Sequence, residues 1–250
     1  MKIKKILISQ PKPQEKSPYY DIEAKYGVEI VFRPFIRVEG LSFKEFMAQK
    51  VDVLSFTAII FTAKTAIDHF FRLAQEMRIT IPEDMKYFCI SESVALYLQK
   101  YIQYRKRKIF FSPTGKFPEL VPAIKKHNSE KYLMAVADVN KDNNVSLLND
   151  NKISFTKAAF YKTVSNDFAP DEPFDYDMLV FFSPEGINSL LKNFPNFEQG
   201  NTIIATFGVS TAKAVVDAGL RLDLSAPNEK ATSMSTAIDN YFKENKVNKK

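Results

Sequence analysis

A short apolar strand, a turn rich in small residues and a helix follow one another four times in this chain, in two pairs. The first pair occupies residues 58–67 and 87–96, and the second pair occupies residues 178–187 and 203–213. Strands that alternate with helices predict parallel sheets, because neighbouring parallel strands need a crossover connection. Each helix start also exposes unpaired N–H groups and the positive end of the helix dipole. The pattern therefore predicts a two-domain α/β protein with a polyanionic ligand held between its domains.

Length and composition agree with a two-domain protein. The chain has 250 residues, of which 45% are hydrophobic, and this is enough for one or two packed cores. No apolar run approaches the roughly 20 residues that a membrane span requires, and the N-terminus shows no signal-peptide cleavage site. We therefore expect a cytoplasmic protein that does not bind membranes. The single cysteine, Cys89, lies in an apolar run and is predicted to be buried and structural.

The net charge of +6 is compatible with nucleic acids, membrane surfaces or acidic small molecules as partners. Much of this charge lies near the two ends of the chain and in the basic cluster at residues 105–108. That cluster follows a predicted helix that ends near Tyr104, and basic residues favour a helix C-terminus. We therefore expect no contact with nucleic acid.

The rest of the chain continues the alternation of strands and helices. Helix 17–26 is predicted to stop at Gly27, and Ser42 with Glu45 has the spacing of a capping box. Prolines and acidic residues at 165–174 indicate a linker. The other predicted strands are 5–9, 28–33, 109–111, 132–136, 153–161 and 220–224, and the other predicted helices are 42–50, 118–126, 145–149 and 232–244.

Several common kinds of active site are absent from the sequence. His69 and His127 have no carboxylate or cysteine at metal-ligand spacing, so no metal site is predicted. The chain has no phosphate-binding loop of the Walker type and no glycine-rich dinucleotide motif. Ser183 lacks the Gly-x-Ser-x-Gly motif that carries the nucleophile of a Ser-His-Asp hydrolase. His69, on a predicted helix, is expected at the surface rather than as a general base. We expect no cofactor.

Two C-terminal motifs carry a family resemblance. Phe-Phe-Ser-Pro-Glu-Gly at residues 181–186 is followed by Phe-Gly-Val-Ser-Thr-Ala-Lys-Ala at 207–214. Together with Thr-Ala-Lys-Thr-Ala at 62–66 and Phe-Tyr-Lys-Thr-Val at 160–164, they resemble uroporphyrinogen-III synthases. Ala63 stands where that family usually has serine, and Val209 stands where it often has proline.

The resemblance implies an α/β fold with two flavodoxin-like, three-layer, parallel-sheet domains. A two-stranded linker would join them, with the substrate cleft between them. Mapped onto this chain, domain one comprises residues 1–36 and 172–250, domain two comprises residues 48–158, and the linkers are residues 37–47 and 159–171. A monomer is implied.

The implied activity is that of a cyclising lyase in tetrapyrrole biosynthesis. The linear tetrapyrrole hydroxymethylbilane, a polycarboxylate, would close to uroporphyrinogen III with loss of water and inversion of ring D. A hydroxymethylbilane synthase would supply the substrate through a transient contact. The alternative is a two-domain protein that binds a tetrapyrrole or another polyanion without turnover.

The resemblance, together with the helix starts, assigns the candidate site residues. Tyr161, which matches the family's tyrosine, is the candidate acid or hydrogen-bond donor to the leaving hydroxyl, and the alternative is an aromatic residue that covers an extended strand. At the helix starts, the alternative role of Ser, Thr and Gly is capping alone. The residues assigned to the substrate carboxylates are Thr62, Ala63, Ser91, Ser93, Ser183, Pro184, Gly186, Gly208, Ser210 and Thr211.

Overall fold

The chain folds into two compact units in the computed structural model, which describes residues 2–138, 143–169 and 173–247. Unit 1 comprises Met1–Arg37 together with Val164–Lys250, and unit 2 comprises Val38–Thr163. The chain thus passes from one unit to the other twice. The mixed α/β class with two parallel-dominated sheets is the class predicted from the sequence.

The described part of unit 1 contains one parallel sheet. Its order, β11-β10-β9-β1-β2, is the order 2-1-3-4-5 of flavodoxin-like folds read from the other edge. Every pairing in it is parallel. The strands are β1 (Lys5–Ile8), β2 (Glu29–Phe32), β9 (Met178–Phe181), β10 (Ile203–Phe207) and β11 (Leu224–Ala226).

Helices cover both faces of this sheet, which makes unit 1 a three-layer structure. Buried residues of α1 and α9 pack on one face, and buried residues of α7 and α8 pack on the other. The strands are apolar on both faces because both faces are covered. The helices are α1 (Pro18–Tyr26), α7 (Pro184–Asn193), α8 (Val209–Asp217) and α9 (Met234–Glu244).

Unit 2 has a mostly parallel sheet with the order β3-β8-β7-β4-β5-β6. Its five parallel strands follow the doubly wound order 3-2-1-4-5 when counted from β4. The edge strand β3 pairs with β8. The strands are β3 (Ile36–Gly40), β4 (Ala58–Phe61), β5 (Lys86–Cys89), β6 (Ile109–Phe111), β7 (Tyr132–Ala137) and β8 (Phe155–Ser165).

Two hydrophobic clusters cover the faces of this second sheet. Buried residues of α2, α3 and α4 belong to one cluster, and those of α5 and α6 belong to the other. The helices are α2 (Phe43–Ala48), α3 (Lys64–Glu76), α4 (Glu92–Tyr97), α5 (Val121–Lys126) and α6 (Asn143–Asp150).

Local sequence signals set several of these boundaries. Ser17 caps α1, and Gly27 ends it with a φ of 64°, which is the left-handed conformation that glycine adopts most readily. Ser42 and Glu45 form the predicted capping box of α2.

Some predicted boundaries were wrong. Residues 220–223 were predicted as strand but are irregular, and β11 begins only at Leu224. Leu220 and Leu222 pack against the hydrophobic cluster on one face of the sheet. The helix expected to end near Tyr104 is replaced by α4 and one further turn that ends at Lys100, so the cluster at 105–108 follows no helix C-terminus.

The segments predicted as linkers contain regular structure. The segment 37–47 holds most of β3 and most of α2, and the segment 159–171 holds the second half of β8. The end of the predicted linker 159–171, at positions 170 and 171, lies outside the described residues.

Candidate active site

The helix starts of the first pair lie side by side in unit 2. Strands β4 and β5 are parallel neighbours, with Phe61 opposite Cys89 at their carboxyl ends. The turns that contain Thr62 and Ser91 therefore leave the sheet at the same edge, about one strand spacing (~4.8 Å) apart. In open α/β sheets ligands bind at this edge.

The second pair has the same arrangement in unit 1. Strands β9 and β10 are parallel neighbours, with Phe181 opposite Thr206. Ser183 and Gly208 therefore begin their helices at one edge of that sheet. Each unit thus presents two helix starts together.

The four helix starts differ in how their N–H groups are satisfied. Ser91 and Ser183 cap their helices through the side-chain oxygen, whereas Ala63 and Gly208 make no side-chain cap. The first turns of α3 and α8 consequently receive no hydrogen bond from the N-cap side chain. Capping therefore accounts for the serines at two starts and leaves the other two as stronger candidates for binding an anion.

The α3 start holds the first two candidate residues. Ala63 has an extended backbone, and both Thr62 and Ala63 are half-buried. Lys64, the first helical residue, is exposed, with its Nζ 5.5 Å from the centre of the Tyr97 ring. The positive helix end and one cation thus lie within three consecutive residues.

The α4 start is held mainly by its own serines. Ser91 accepts a hydrogen bond of 3.4 Å from the N–H of Val94, and its hydroxyl lies 3.1 Å from that of Ser93. Ser93 is exposed and Ser91 is half-buried. Because α4 has only six residues, its dipole contributes less than that of α3.

The α7 start combines a cap with a buried glycine. Ser183 accepts a hydrogen bond of 3.3 Å from the N–H of Gly186, and Pro184 occupies the first helical turn. A Cβ on Gly186 would lie 3.0 Å from Cδ1 of Phe181, a fully buried ring, so a larger residue would press against that ring. The cap uses the N–H of Gly186, and Pro184 has no N–H to donate.

The α8 start has an unusual backbone. Gly208 has a φ of 95° and a ψ of 145°, and its N–H donates a hydrogen bond of 2.6 Å to the carbonyl of Ala226. Ser210 and Val209 are exposed, whereas Thr211 is 1% exposed. Only glycine adopts this conformation without strain. The backbone conformation therefore explains why the motif at residues 207–214 has glycine at position 208.

Tyr161 lies on β8 at the same edge of the unit 2 sheet as Thr62 and Ala63. The pairing of β7 with β8 shifts after Val136, so that Ala137 lies opposite Tyr161 and Phe160 is the extra residue. The carbonyl of Tyr161 accepts a hydrogen bond of 2.8 Å from the N–H of Asp138. Such a bulge re-aims a side chain.

The bulge turns two consecutive rings toward helix α3. The ring of Phe160 lies 5.5 Å from that of Phe70, and the ring of Tyr161 stacks on that of His69 at 6.0 Å and 29°. In a regular strand neighbouring side chains point to opposite faces. His69 is half-buried in this contact.

Other reactive groups are held elsewhere. Burial raises the pKa of the Cys89 thiol to about 12, which keeps it in the unreactive thiol form. The Nζ of Lys162 lies 2.6 Å from Glu45 Oε1, in an ion pair.

Within residues 2–138, 143–169 and 173–247, no group of three or more His, Cys, Asp or Glu is placed to bind a metal ion. No helix of that described part combines the length and apolar character that crossing a membrane requires.

Comparison with known families decides which family this is. The model of the family described as uroporphyrinogen-III synthase HemD matches residues 21–236. This chain belongs to the uroporphyrinogen-III synthase family. It therefore belongs to a family of enzymes, and comparison with curated protein sequences gives no match.

Solved structures of uroporphyrinogen-III synthases have the same fold. The enzyme from Helicobacter pylori aligns with a TM-score of 0.59 and 17% identity, over 97% of this chain and 100% of that chain. A mutant of the enzyme from Thermus thermophilus aligns with a TM-score of 0.50 and 10% identity, over 97% and 99% of the two chains. At these identities the similarity establishes the two-domain fold.

One further loop of this uroporphyrinogen-III synthase relative lies at the candidate edge, and sequence reasoning missed it. Gly115, which follows β6, has a φ of 77°, and a Cβ on it would lie 3.8 Å from Cβ of Ser91. Glu119 binds the loop through Ser112 at 3.0 Å and Thr114 at 2.6 Å. The Ser-Pro-Thr-Gly sequence after a predicted strand was the available signal.

Proposed function

We propose that this protein is a uroporphyrinogen-III synthase, a cyclising lyase that converts hydroxymethylbilane to uroporphyrinogen III with loss of water and inversion of ring D. The observation that carries the proposal is the family match over residues 21–236, which includes both pairs of helix starts. The cytoplasmic location and the monomeric state expected from the sequence are part of the same proposal.

The substrate carboxylates would bind at the helix starts of both units. The N–H groups of the first turns of α3 and α8, which no N-cap side chain occupies, support this role. Hydroxyl groups at the same starts would add donors, and the net charge of +6 favours a polyanion. The proposed binding residues are Thr62, Ala63, Ser91, Ser93, Ser183, Pro184, Gly186, Gly208, Ser210 and Thr211.

Most of the reactivity belongs to the substrate. Protonation of its hydroxyl releases water and leaves an azafulvene-type cation. Attack by a substituted carbon of ring D on this cation gives a spiro intermediate. Fragmentation and reclosure invert ring D, and loss of a proton restores the pyrrole. The protein supplies a fixed conformation that disfavours the direct closure without inversion.

Tyr161 would assist departure of the hydroxyl. A phenol is protonated at neutral pH and can donate a hydrogen bond or a proton. Its position on β8, level with the candidate start of α3, supports a role next to the bound substrate. Acid assistance of this kind typically contributes about 10²–10⁴-fold to a rate.

A hydroxymethylbilane synthase would deliver the substrate. The linear tetrapyrrole closes spontaneously in solution to the non-inverted isomer, so a short transfer from the supplying enzyme favours the inverted product. We propose a transient contact between the two proteins.

The decisive experiment measures the isomer ratio. Porphobilinogen and a hydroxymethylbilane synthase are incubated with and without this protein, and the type I and type III uroporphyrins are separated after oxidation. We expect type III to depend on this protein. Type I alone from a folded protein would overturn the proposal and favour binding without turnover.

The role of Tyr161 is tested with Tyr161→Phe. We expect kcat to fall about 10-fold or more with KM nearly unchanged, because only the donor is lost. Tyr241→Phe, in the last turn of α9, is the matched control and should behave as wild type. Wild-type turnover in Tyr161→Phe would show that the acid is a different group.

A further inference from the structure

Strands β3 and β8 form an antiparallel pair whose register places Gly40 opposite Tyr161. The N–H of Leu41 donates to the carbonyl of Phe160 at 3.0 Å, and the N–H of Asn166 donates to the carbonyl of Phe35 at 2.8 Å. Both bonds fit one register, in which Gly40 and Tyr161 form a pair without hydrogen bonds. In such pairs the Cα atoms approach to about 4.5 Å and the side chains are closest.

Two side chains of helix α3 occupy the space that a side chain on Gly40 would need. A Cβ there would lie 2.5 Å from Nδ1 of His69 and 2.7 Å from Nη2 of Arg72. A larger residue at this position would therefore displace the side chains of His69 and Arg72. Glycine at this position therefore lets the His69 ring reach the strand pair that carries Tyr161.

The His69 ring is held by its neighbour on the same helix. Nε of Arg72 donates to Nδ1 of His69 at 3.4 Å, and Nη2 of Arg72 donates to the carbonyl of Leu41. A ring nitrogen that accepts a hydrogen bond carries no proton, so the neutral ring is protonated on Nε2. Burial and the charge of Arg72 lower the pKa of His69, and Asp68 partly offsets them.

This neutral, oriented ring stacks on the phenol of Tyr161 at 6.0 Å and 29°. We propose that His69 is a positioning residue: it fixes the direction of the Tyr161 side chain toward the candidate site and takes no part in proton transfer. The proposal rests on the proposed function of Tyr161. Without its backing ring Tyr161 would sample other rotamers, and small displacements of a reacting group can reduce a rate about 10²-fold.

Kinetics separate positioning from general structure. We expect His69→Ala to lower the kcat for type III formation about 10-fold with KM nearly unchanged, and His69→Phe to restore most of the loss because it keeps an aromatic face. In a Tyr161→Phe background, His69→Ala should have almost no further effect, since its target hydroxyl is gone. An equal effect in both backgrounds would overturn the proposal.

The chain offers a readout of the stack that does not depend on activity. It contains only two histidines, so the ring C–H signals of His69 and His127 are assigned in an NMR spectrum with one His127→Gln variant. His127 packs against Phe110 at 4.4 Å and serves as the internal control. Tyr161→Leu should shift the His69 signal through loss of the ring current and leave the His127 signal in place. An unmoved His69 signal would overturn the stack.

The two readouts distinguish the ways in which the proposals can fail. If the wild type forms only type I product, the proposed function fails, and positioning for that reaction fails with it, even where the NMR shift shows the stack. If the wild type forms type III and His69→Ala matches it, the positioning role alone is wrong. If His69→Ala does not fold, His69→Leu, which has a similar volume without an aromatic face, takes its place.

Discussion

The hydroxyl of Ser189 donates a hydrogen bond of 2.5 Å to the carbonyl of Phe35, and both residues are buried in unit 1. The same hydroxyl lies 2.7 Å from that of Ser165. Phe35 precedes β3, where the chain leaves unit 1, and Ser165 ends β8, where the chain returns to it. The hydroxyl of Ser189 therefore links both segments to α7. This helix begins at the candidate residue Ser183.

We predict that Ser189→Ala lowers the free energy of unfolding by about 0.5–1.5 kcal/mol, because it removes a buried hydrogen bond while the Phe35 carbonyl still accepts from the N–H of Asn166. Urea unfolding measures the change. Ser225→Ala, at an exposed position of β11, is the matched control and should change stability by less than about 0.5 kcal/mol. Equal effects of the two substitutions would contradict the role of Ser189.

Gly208→Ala and Gly219→Ala separate backbone strain from binding at the α8 start. Both glycines have positive φ angles, of 95° and 72°, and lie just before and just after α8. We predict a loss of about 1–3 kcal/mol for either variant. Only Gly208→Ala should also raise the KM for hydroxymethylbilane, since it distorts the proposed carboxylate site. A KM that rises equally in Gly219→Ala would point to a general loss of structure.

Thr206→Val should stabilise the protein or leave it unchanged. Among the described residues, Thr206 Oγ1 is a buried side-chain oxygen without a hydrogen-bond partner. Valine keeps the shape of threonine and removes the hydroxyl oxygen. A buried polar atom without a hydrogen-bond partner lowers the stability of the fold, so its removal should not destabilise. Thr206→Ser, which keeps the hydroxyl and removes the methyl group, should destabilise. Thermal unfolding of the two variants gives the comparison, and a clear loss of stability in Thr206→Val would indicate that the hydroxyl has a partner.

Glu45 should contribute to stability in a pH-dependent way. Its hydrogen bonds from Lys162 and Ser42 lower the pKa of the carboxyl to about 2 from an ordinary 4.5. A lowered pKa stabilises the fold above pH 4.5, and the contribution disappears as the pH falls from 4.5 toward 2. The difference in unfolding free energy between wild type and Glu45→Gln should therefore be constant near neutral pH and shrink in acid. In a Lys162→Gln background the pH dependence should be weaker, and an unchanged dependence would exclude Lys162 as the main cause.

The architecture could be predicted because its signals are local. Apolar runs followed by Thr62, Ser91, Ser183 and Gly208 mark the point where each strand passes into a helix, and the alternation of elements requires parallel sheets. The family resemblance gave the correct family. The candidate site residues remain predictions.

The details that the sequence could not supply depend on distant pairings. The bulge at Phe160 follows from the register of β7 against β8, and the contact of His69 with Tyr161 also needs Gly40 on β3. A histidine on a helix has no local mark of such a contact. The irregular segment at 220–223 was predicted as a strand because Leu220 and Leu222 are apolar and pack against the core. In sequence, apolar residues that pack without strand pairing cannot be told from those of a strand.

Strand β1 lies between β2 and β9 in the sheet of unit 1. A ribosome releases β1 and β2 first and β9 only after the whole of unit 2 has been made. Unit 2 is continuous in sequence, so it can complete its core while β1 still has an open edge. Synthesis therefore begins with unit 1 but completes unit 2 first. Strands β1 and β2 can join a complete sheet only after the last third of the chain has been made.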